Sequence, residues 1–463
     1  MNQILTRIND AMYTYLLLFL LVGAGIYFTI RTRGVQIRLL KDGLKSMLER
    51  SDEDTGKVSS FQALMISTAS RVGTGNIAGI ATAIASGGPG AVFWMWLMAV
   101  IGSASAFVES TLAQIYKIEE NGQFRGGPSY YMQKALGKRW LGILFSISLI
   151  LCFAYGFNAL QAYNMSSALE YYIDDYSNTS VPVILGIVLA AATAFVILGG
   201  VDRISFITSV LVPIMATIYI LMGIVVMLLH LPELPGVLVL IVKEAFDFRA
   251  MAGGLAGSAV VIGIKRGLFS NEAGMGSAPN ASASATVAHP VQQGLVQVIS
   301  VFIDTLLICS STAMMLLLSG VEGKLHVLDG IPYVQAAIQA NVGTWGIHFI
   351  TFSIYAFAFS SVIGNYFYAE SNILFIKNSK VFLNLFRVTC VLVIFLGTQA
   401  NFTLMWNIAD ITMGLMALIN IITILFLGGI SFRALKNYEA QKKLGLSPAF
   451  KGTDIGVEDT IWK

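Results

Sequence analysis

This sequence is short of charge. Asp, Glu, Lys and Arg make up 12% of its 463 residues, about half the ~25% of an ordinary soluble domain. Together with 56% hydrophobic residues and a mean hydropathy of +0.73, that scarcity excludes a soluble globular protein. Cysteine is scarcer still. Cys152, Cys309 and Cys390 each sit alone in an apolar stretch, so they read as small core residues rather than a disulfide framework or a zinc site. The four histidines, His230, His289, His326 and His348, fall at the edges of such stretches or between them. There is no HExxH, no phosphate-cradling loop and no nucleophile with a His partner inside an apolar stretch. Enzymatic chemistry therefore has no foothold, and neither a cofactor nor a nucleic-acid partner is expected. Without an ATP-binding module, any uphill work must draw on an ion gradient.

What is abundant is apolar sequence in membrane-length pieces. Crossing a bilayer takes roughly 20 helical residues, and eleven spans are read: 11–30, 59–86, 90–116, 141–169, 181–198, 204–229, 250–285, 291–318, 345–376, 381–398 and 402–430. Barrel strands would instead alternate in ~10-residue pieces. The expected fold class is an all-α polytopic membrane protein. One Arg precedes the first span, while Arg31, Arg33, Arg38, Lys41 and Lys45 follow it, the reverse of a cleavable signal. Positive residues mark the cytoplasmic side. With the N-terminus outside, the inside segments carry 21 Lys and Arg and the outside ones 4. A missed span would collapse that bias, so a multi-pass cell-membrane protein with a cytoplasmic C-terminus is expected.

The chain then divides into a first span with its basic segment (1–58), five spans (59–231), a short outer-surface helix (232–249), five more spans (250–430) and a solvated tail (431–463). A second outer element is expected within 320–344. The two five-span sets share a motif: Arg71-x4-Asn76-x-Ala78-Gly79 returns as Arg266-x4-Asn271-x-Ala273-Gly274, 195 residues later. An odd number of spans per set makes the second copy inverted. Gly-interrupted spans at matching places in inverted halves point to a transporter's binding site. The first span is then an extra helix outside a five-plus-five core with discontinuous helices.

Gly73 and Gly75 flank Thr74 in one copy, and Gly267 with Ser270-Asn271-Glu272 marks the other. A helix broken there frees carbonyls that suit a small cation and amides that suit a carboxylate. A dinucleotide-binding reading of GTGNIAG fails for want of a preceding strand. Close packing through GNIAG leaves Asn76, Arg71 and the second copy unexplained. Arg71 and Arg266 need partners at membrane depth; Glu272, Glu109 and Asp304 are candidates for structural or gating ion pairs, the alternative being contact with substrate. Asp410 suits an ion ligand or a pair within the bundle. Asn158 and Gln161, beside Phe157, either orient a solute or bond between helices. Ser360, Ser361 and Asn365 either ligate a hard cation or bond back to their own helix. The FWMWL run (93–97) reads as an interfacial belt.

Three stretches carry a resemblance: STASRVGTGNIAGIATAI, GGPGAVFWMWLMAVIG (87–102) and FSNEAGMGSAPNASA (269–283). They resemble the alanine/glycine:cation symporter family, and the likeness runs over essentially the whole chain. It implies a leucine-transporter-like fold and sodium-coupled symport of alanine or glycine by alternating access, working as a monomer. It also implies a sodium site from the main-chain oxygens of Ala69 and Val72 with Ser360 and Ser361. The substrate would meet Gly73, Thr74, Gly75 and Asn76, facing Phe269, Ser270, Asn271, Gly274 and Met275, with Gln161 and Phe157 alongside. The alternative is proton coupling, with Glu272 as carrier.

Overall fold

The computed structural model describes residues 2–48, 58–120, 122–247, 258–324, 327–400 and 402–463. The expectations made for 49–57 and 248–257, and His326, lie outside the described residues. The chain is nearly all helix. α1 (2–31) carries a π-helical turn at Tyr13–Leu17. α2 (Ser60–Arg71) and α3 (Ala78–Gly87) are two halves of one crossing, followed by α4 (Gly90–Ile115) and the short α5 (Pro128–Leu136). Then come α6 (Arg139–Ser167), α7 (Val181–Ile197), α8 (Gly200–Leu229) and the connector α9 (Leu234–Ala245). α10 (Ala259–Asn271) and α11 (Pro279–Ser284) form the second broken crossing. α12 (Pro290–Leu317), α13 (Gly330–Val342), α14 (Thr344–Ile376), α15 (Lys380–Gly397) and α16 (Phe402–Lys443) complete the chain.

Among the described residues, eight helices are long and apolar enough to span a bilayer, and α7 is a shorter apolar one. With the two broken crossings they make the eleven expected. α2/α3, α4, α6, α7 and α8 form the first half of the core; α10/α11, α12, α14, α15 and α16 form the inverted second.

Local signals set the ends. Ser59 caps α2 through Gln62 N at 3.1 Å, and Gln62 Oε1 returns a bond to Ser59 N at 2.9 Å, a reciprocal box that satisfies two otherwise orphaned amides. His289 caps α12 just before Pro290, its Nδ1 accepting from Val291 N at 3.2 Å. Inside lipid there is no hydrophobic drive between helices, so close backbone approach at small residues holds the bundle. A Cβ on Gly364 of α14 would lie 2.7 Å from Ser70 N of α2, and one on Gly263 of α10 2.4 Å from Ala91 O of α4.

The two breaks differ in backbone geometry. Residues 72–77 leave helical geometry through Val72 (ψ 79°) and an extended Gly73, then a single 3-10 turn Thr74–Asn76. In the second break Glu272, Gly274 and Gly276 adopt φ of 55°, 82° and 85°. Glycine takes that region freely; Glu272 does so at a cost of roughly 1–2 kcal/mol, offset by the bonds its carboxylate makes.

One face carries the 87–90 turn and α9: Trp94 Nε1 donates to Ala245 O at 3.0 Å. The other carries a small antiparallel pair, β1 (Ile118–Glu120) with β2 (Gln123–Arg125). The C-terminal tail, expected to be solvated, instead packs on this second face. Phe450, Ile455 and Val457 are buried, and Trp462 Nε1 donates to Gln114 O at 2.8 Å. Its aromatic residues supply apolar area that a charge count does not reveal.

Candidate substrate and ion site

The breaks meet at one buried carboxylate. Asp304, on α12, accepts from Asn76 Nδ2 at 2.6 Å and from Ser270 Oγ at 2.5 Å, one donor from each broken crossing. Thr305 Oγ1 adds a third bond at 2.9 Å. Cys309, one turn on, lies 3.0 Å from Ser270 Oγ and 3.4 Å from Asn76 Nδ2. Sequence reasoning cast Asp304 only as a partner for the arginines and Cys309 as core. The i, i+5 spacing of the two on one helix, widened into a π-helix over Phe302–Cys309, was the missed signal.

The first break is held from α6. Thr74 N–H donates to Gln161 Oε1 at 3.0 Å, and Asn164 Nδ2 to Thr74 Oγ1 at 2.7 Å. Gln161 thus occupies one of the amides that the break frees. Asn76 Oδ1 accepts from Gly73 N at 3.3 Å and its carbonyl from Thr312 Oγ1 at 2.6 Å. Asn158, paired with Gln161 on sequence, instead accepts from Asn365 Nδ2 at 2.9 Å.

Aromatic rings wall the site. Phe157 and Phe269 have centroids 4.7 Å apart, and Phe269 and Trp406 5.2 Å. A Cβ on Gly75 would lie 2.2 Å from Phe269 Cε1, so only glycine fits beneath that ring. On the α9 side of Phe269, Arg266 stacks over Trp406 at 4.3 Å and pairs with Asp410 at 2.9 Å. Lys265 joins the same carboxylate at 2.6 Å. The partner of Arg266 is therefore Asp410 rather than Glu272.

Glu272 is occupied elsewhere. Its carboxylate accepts from Ser277 Oγ at 2.6 Å and lies 2.9 Å from Ser70 Oγ, which is also 2.7 Å from Asn365 Oδ1. Glu109 accepts the freed amides Gly274 N and Gly276 N at 3.2 and 3.1 Å, and Asn420 Nδ2 at 2.7 Å. Arg71, 2% exposed, donates to the neutral Gln297 Oε1 at 3.0 Å. Among the described residues it forms no hydrogen bond or ion pair with Glu109 or Glu272.

Of the four expected sodium ligands, Ser361 Oγ lies 3.0 Å from Ala69 O and 3.2 Å from Ser70 O. Ser360 Oγ bonds back to Phe357 O at 2.9 Å and faces Met215 Sδ at 3.6 Å. Val72 is fully buried at the end of α2. Asn271 turns back on the break, its Oδ1 accepting from Ala273 N at 3.0 Å. Gly274 and Met275 lie within the break, Met275 fully buried. A cavity on the β-hairpin face is lined by Gln123, Arg125, Asn280, Ser284, Phe367 and Glu370, among others.

Comparison with known proteins agrees in scale and in kind. The sequence pattern of the sodium:alanine symporter family matches residues 1–452. The amino-acid carrier protein AlsT of Bacillus subtilis is 46% identical over 456 residues, covering 98% of this chain and 96% of its own. The probable sodium/glutamine symporter GlnT of the same organism is 47% identical, over 97% and 94%. The sodium/alanine symporter AgcS of Methanococcus maripaludis is 37% identical, over 95% and 98%. Among solved structures, that of MhsT in complex with L-phenylalanine superposes with a TM-score of 0.58 at 15% identity, over 88% of this chain and 94% of its own. That last likeness speaks to the fold alone.

Proposed function

The chain belongs to the sodium:alanine symporter family, and from that premise we propose that it carries alanine into the cell with sodium by alternating access. It is a multi-pass membrane transporter and not an enzyme. The observation that carries the proposal is the convergence on Asp304 of one donor from each broken crossing, Asn76 and Ser270. That junction offers oxygen ligands and freed amides within one buried volume, the two chemistries a sodium ion and a zwitterion need.

In this reading the α9 face is outer and the β-hairpin face inner, as the distribution of Lys and Arg requires. Sodium binds near Ser361 and the Ala69 carbonyl, pulling the inner half α2 against α14. Val72 and Ser360 complete its shell after the Ser360 hydroxyl turns from its own helix. The substrate carboxylate takes the Thr74 amide from Gln161, and the ammonium meets Asn76 and Ser270 beside Asp304. Gly73, Gly75, Asn271, Gly274 and Met275 supply backbone and wall. Arg266, Asp410, Phe269 and Trp406 close the outer side, and release proceeds toward the cavity at Asn280 and Glu370. Coupling follows because sodium orders the same break that binds substrate, so each raises the other's affinity.

Ring packing at Phe157, Phe269 and Trp406 favours a side chain as small as a methyl, with glycine also accommodated. A relative of similar identity is named for glutamine, so size selectivity needs direct measurement. Uptake of labelled alanine into proteoliposomes under imposed sodium, potassium or proton gradients, with unlabelled glycine and glutamine as competitors, tests the whole reading. Accumulation driven by sodium alone, and competed by glycine better than by glutamine, is expected. Accumulation under a proton gradient without sodium would replace it with the second reading. That reading is favoured by one feature: Glu272 is buried and held by two serine hydroxyls, with no cation hydrogen-bonded to it among the described residues.

A further inference from the structure

α1 stands outside the five-plus-five core, yet its first turns reach the ion pair that closes the outer side. Asn9 Nδ2 lies 3.2 Å from Asp410 Oδ2 and 3.4 Å from Asn407 Oδ1. Tyr13 OH donates to the main-chain oxygen of Asp410 at 3.0 Å, and Lys265 Nζ stands 5.1 Å over the Tyr13 ring. Asn9 and Asp410 are 2% and 1% exposed. Moreover, the π-helical turn of α1 begins at Tyr13, and such turns are frequent at functional sites.

The lower half of α1 packs on α16 as well, with Phe28 and Phe432 centroids 6.2 Å apart, and it also reaches α4. A Cβ on Gly25 would lie 3.0 Å from Ile101 O of α4, and α4 in turn packs at backbone distance on α10 through Gly263. α1 therefore ties α16, which carries Asp410, to the α4–α10 pair, which carries Lys265 and Arg266. Opening the outer side needs Arg266 and Asp410 to part, and α16 leaves α10 only by breaking the bonds at Asn9 and Tyr13 or by drawing α1 off α4.

We propose that α1 is the clamp of the outer gate, with Asn9 and Tyr13 as positioning residues that hold Asp410 where Lys265 and Arg266 close on it. The proposal rests on the alternating-access reading above.

Cys309 is a built-in reporter, since its thiol lies 3.0 Å from Ser270 Oγ in the site and is 3% exposed. The probe is a membrane-impermeant cationic thiol reagent applied to one face of sealed vesicles, with Cys152→Ser and Cys390→Ser removing the other thiols. Asn9→Ala and Tyr13→Phe should each raise outer-face labelling of Cys309 about tenfold, equivalent to about 1.4 kcal/mol, and leave inner-face labelling unchanged. Arg266→Gln should raise it as well. Tyr13→Phe removes one hydroxyl only, so it serves if Asn9→Ala fails to fold. Unchanged outer labelling in the α1 variants while Arg266→Gln raises it would overturn the clamp. An equal rise from both faces would overturn it too, marking general loosening. No response to Arg266→Gln, with sodium-driven alanine uptake intact in the unsubstituted chain, would remove the gate and the clamp but not the transport reading; loss of that uptake would remove the reading itself.

Discussion

In the proposed site Gly73 is where the ion and substrate halves touch, and Gly73→Ala tests whether they do so. The residue is extended, with φ −123°, so alanine meets no backbone penalty and its whole effect is steric. Its Cβ would fall 2.3 Å from Ser361 Oγ, 3.2 Å from Ser361 Cβ and 2.7 Å from Gln161 Nε2. Overpacking of this kind costs typically ~1–3 kcal/mol. Because Ser361 Oγ reaches Ala69 O and Gln161 holds Thr74 N, the cost should appear in both sodium and alanine half-saturation. Each should rise roughly tenfold or more, since about 1.4 kcal/mol is a factor of ten. Ser361→Ala alone deletes one neutral hydrogen bond, worth ~0.5–1.5 kcal/mol, and should raise mainly the sodium requirement. Combining the two removes the closest clash and leaves the movable tip of Gln161 and a milder 3.2 Å approach to the Cβ of residue 361. The double variant should therefore be better than additivity predicts by ~0.5–3 kcal/mol, the range for residues in contact. Sodium titrations of alanine uptake in proteoliposomes measure all three variants. Strict additivity would mean that Gly73 and Ser361 do not share the site, and the ion assignment would fall.

Asn76→Ala removes the donor to Asp304 and the acceptor for Gly73 N; a bond to a charged group is worth ~1.5–3 kcal/mol, so the alanine KM should rise about 10- to 100-fold. Glu272→Gln keeps one acceptor oxygen, and its amide donates to the other serine hydroxyl once that hydroxyl turns, so sodium-driven uptake should persist with an unchanged profile between pH 6 and 8; loss of a pH dependence would favour proton coupling. His289, in the loop before α12, is pushed down from 6.5 to about 4, chiefly by burial, against a smaller opposing bond to Asn437. A depressed folded value means that its contribution to stability is present above the unfolded value near 6.5 and is lost as pH falls through 4. The loss approaches ~3 kcal/mol, and melting of the purified protein between pH 7 and 4 should flatten in His289→Gln. An equally steep acid decline in that variant would assign the sensitivity to other groups.

The crossings were legible because lipid leaves a helix no choice: twenty apolar residues and a skew of Lys and Arg are direct consequences of the solvent. Site side chains answer to three-dimensional neighbours instead. Asp304 and Trp406 sit in spans whose hydropathy hides them, and nothing local to either says that Asn76 or Phe269 will be opposite. Ser361 and Gln161 were legible because hydroxyls and amides are costly enough in an apolar span to demand a partner. Ser360 shared that signal, yet its demand is met by Phe357 of its own helix, which no spacing rule distinguishes. The tail was misread for a related reason: its few aromatic residues find Gln114, His289 and Lys117 only after the chain has folded.

The repeated motif shows how a sequence signal can be right about place and wrong about register. Aligning Arg71 with Arg266 also aligns Asn76 with Asn271, but α2 ends at Arg71 whereas α10 runs on to Asn271. By helix end, the counterpart of Arg71 is thus Asn271, five residues beyond the match. The displacement has a chemical consequence. Arg71 sits at the lip of its break and bonds to an amide, Gln297. Arg266 sits more than a turn inside intact helix, on the far side of Phe269 from the substrate amides, where it meets Asp410. Identical letters at the same motif position therefore meet different partners, and in the proposed reading one lies beside the ion and substrate site and one in the closure above it. Arg266→Gln should accordingly alter access from outside with little change in sodium requirement, whereas Arg71→Gln should shift sodium half-saturation, because it changes the charge beside the acids that line the break. Equal effects of the two on both quantities in the labelling and uptake assays would contradict that division.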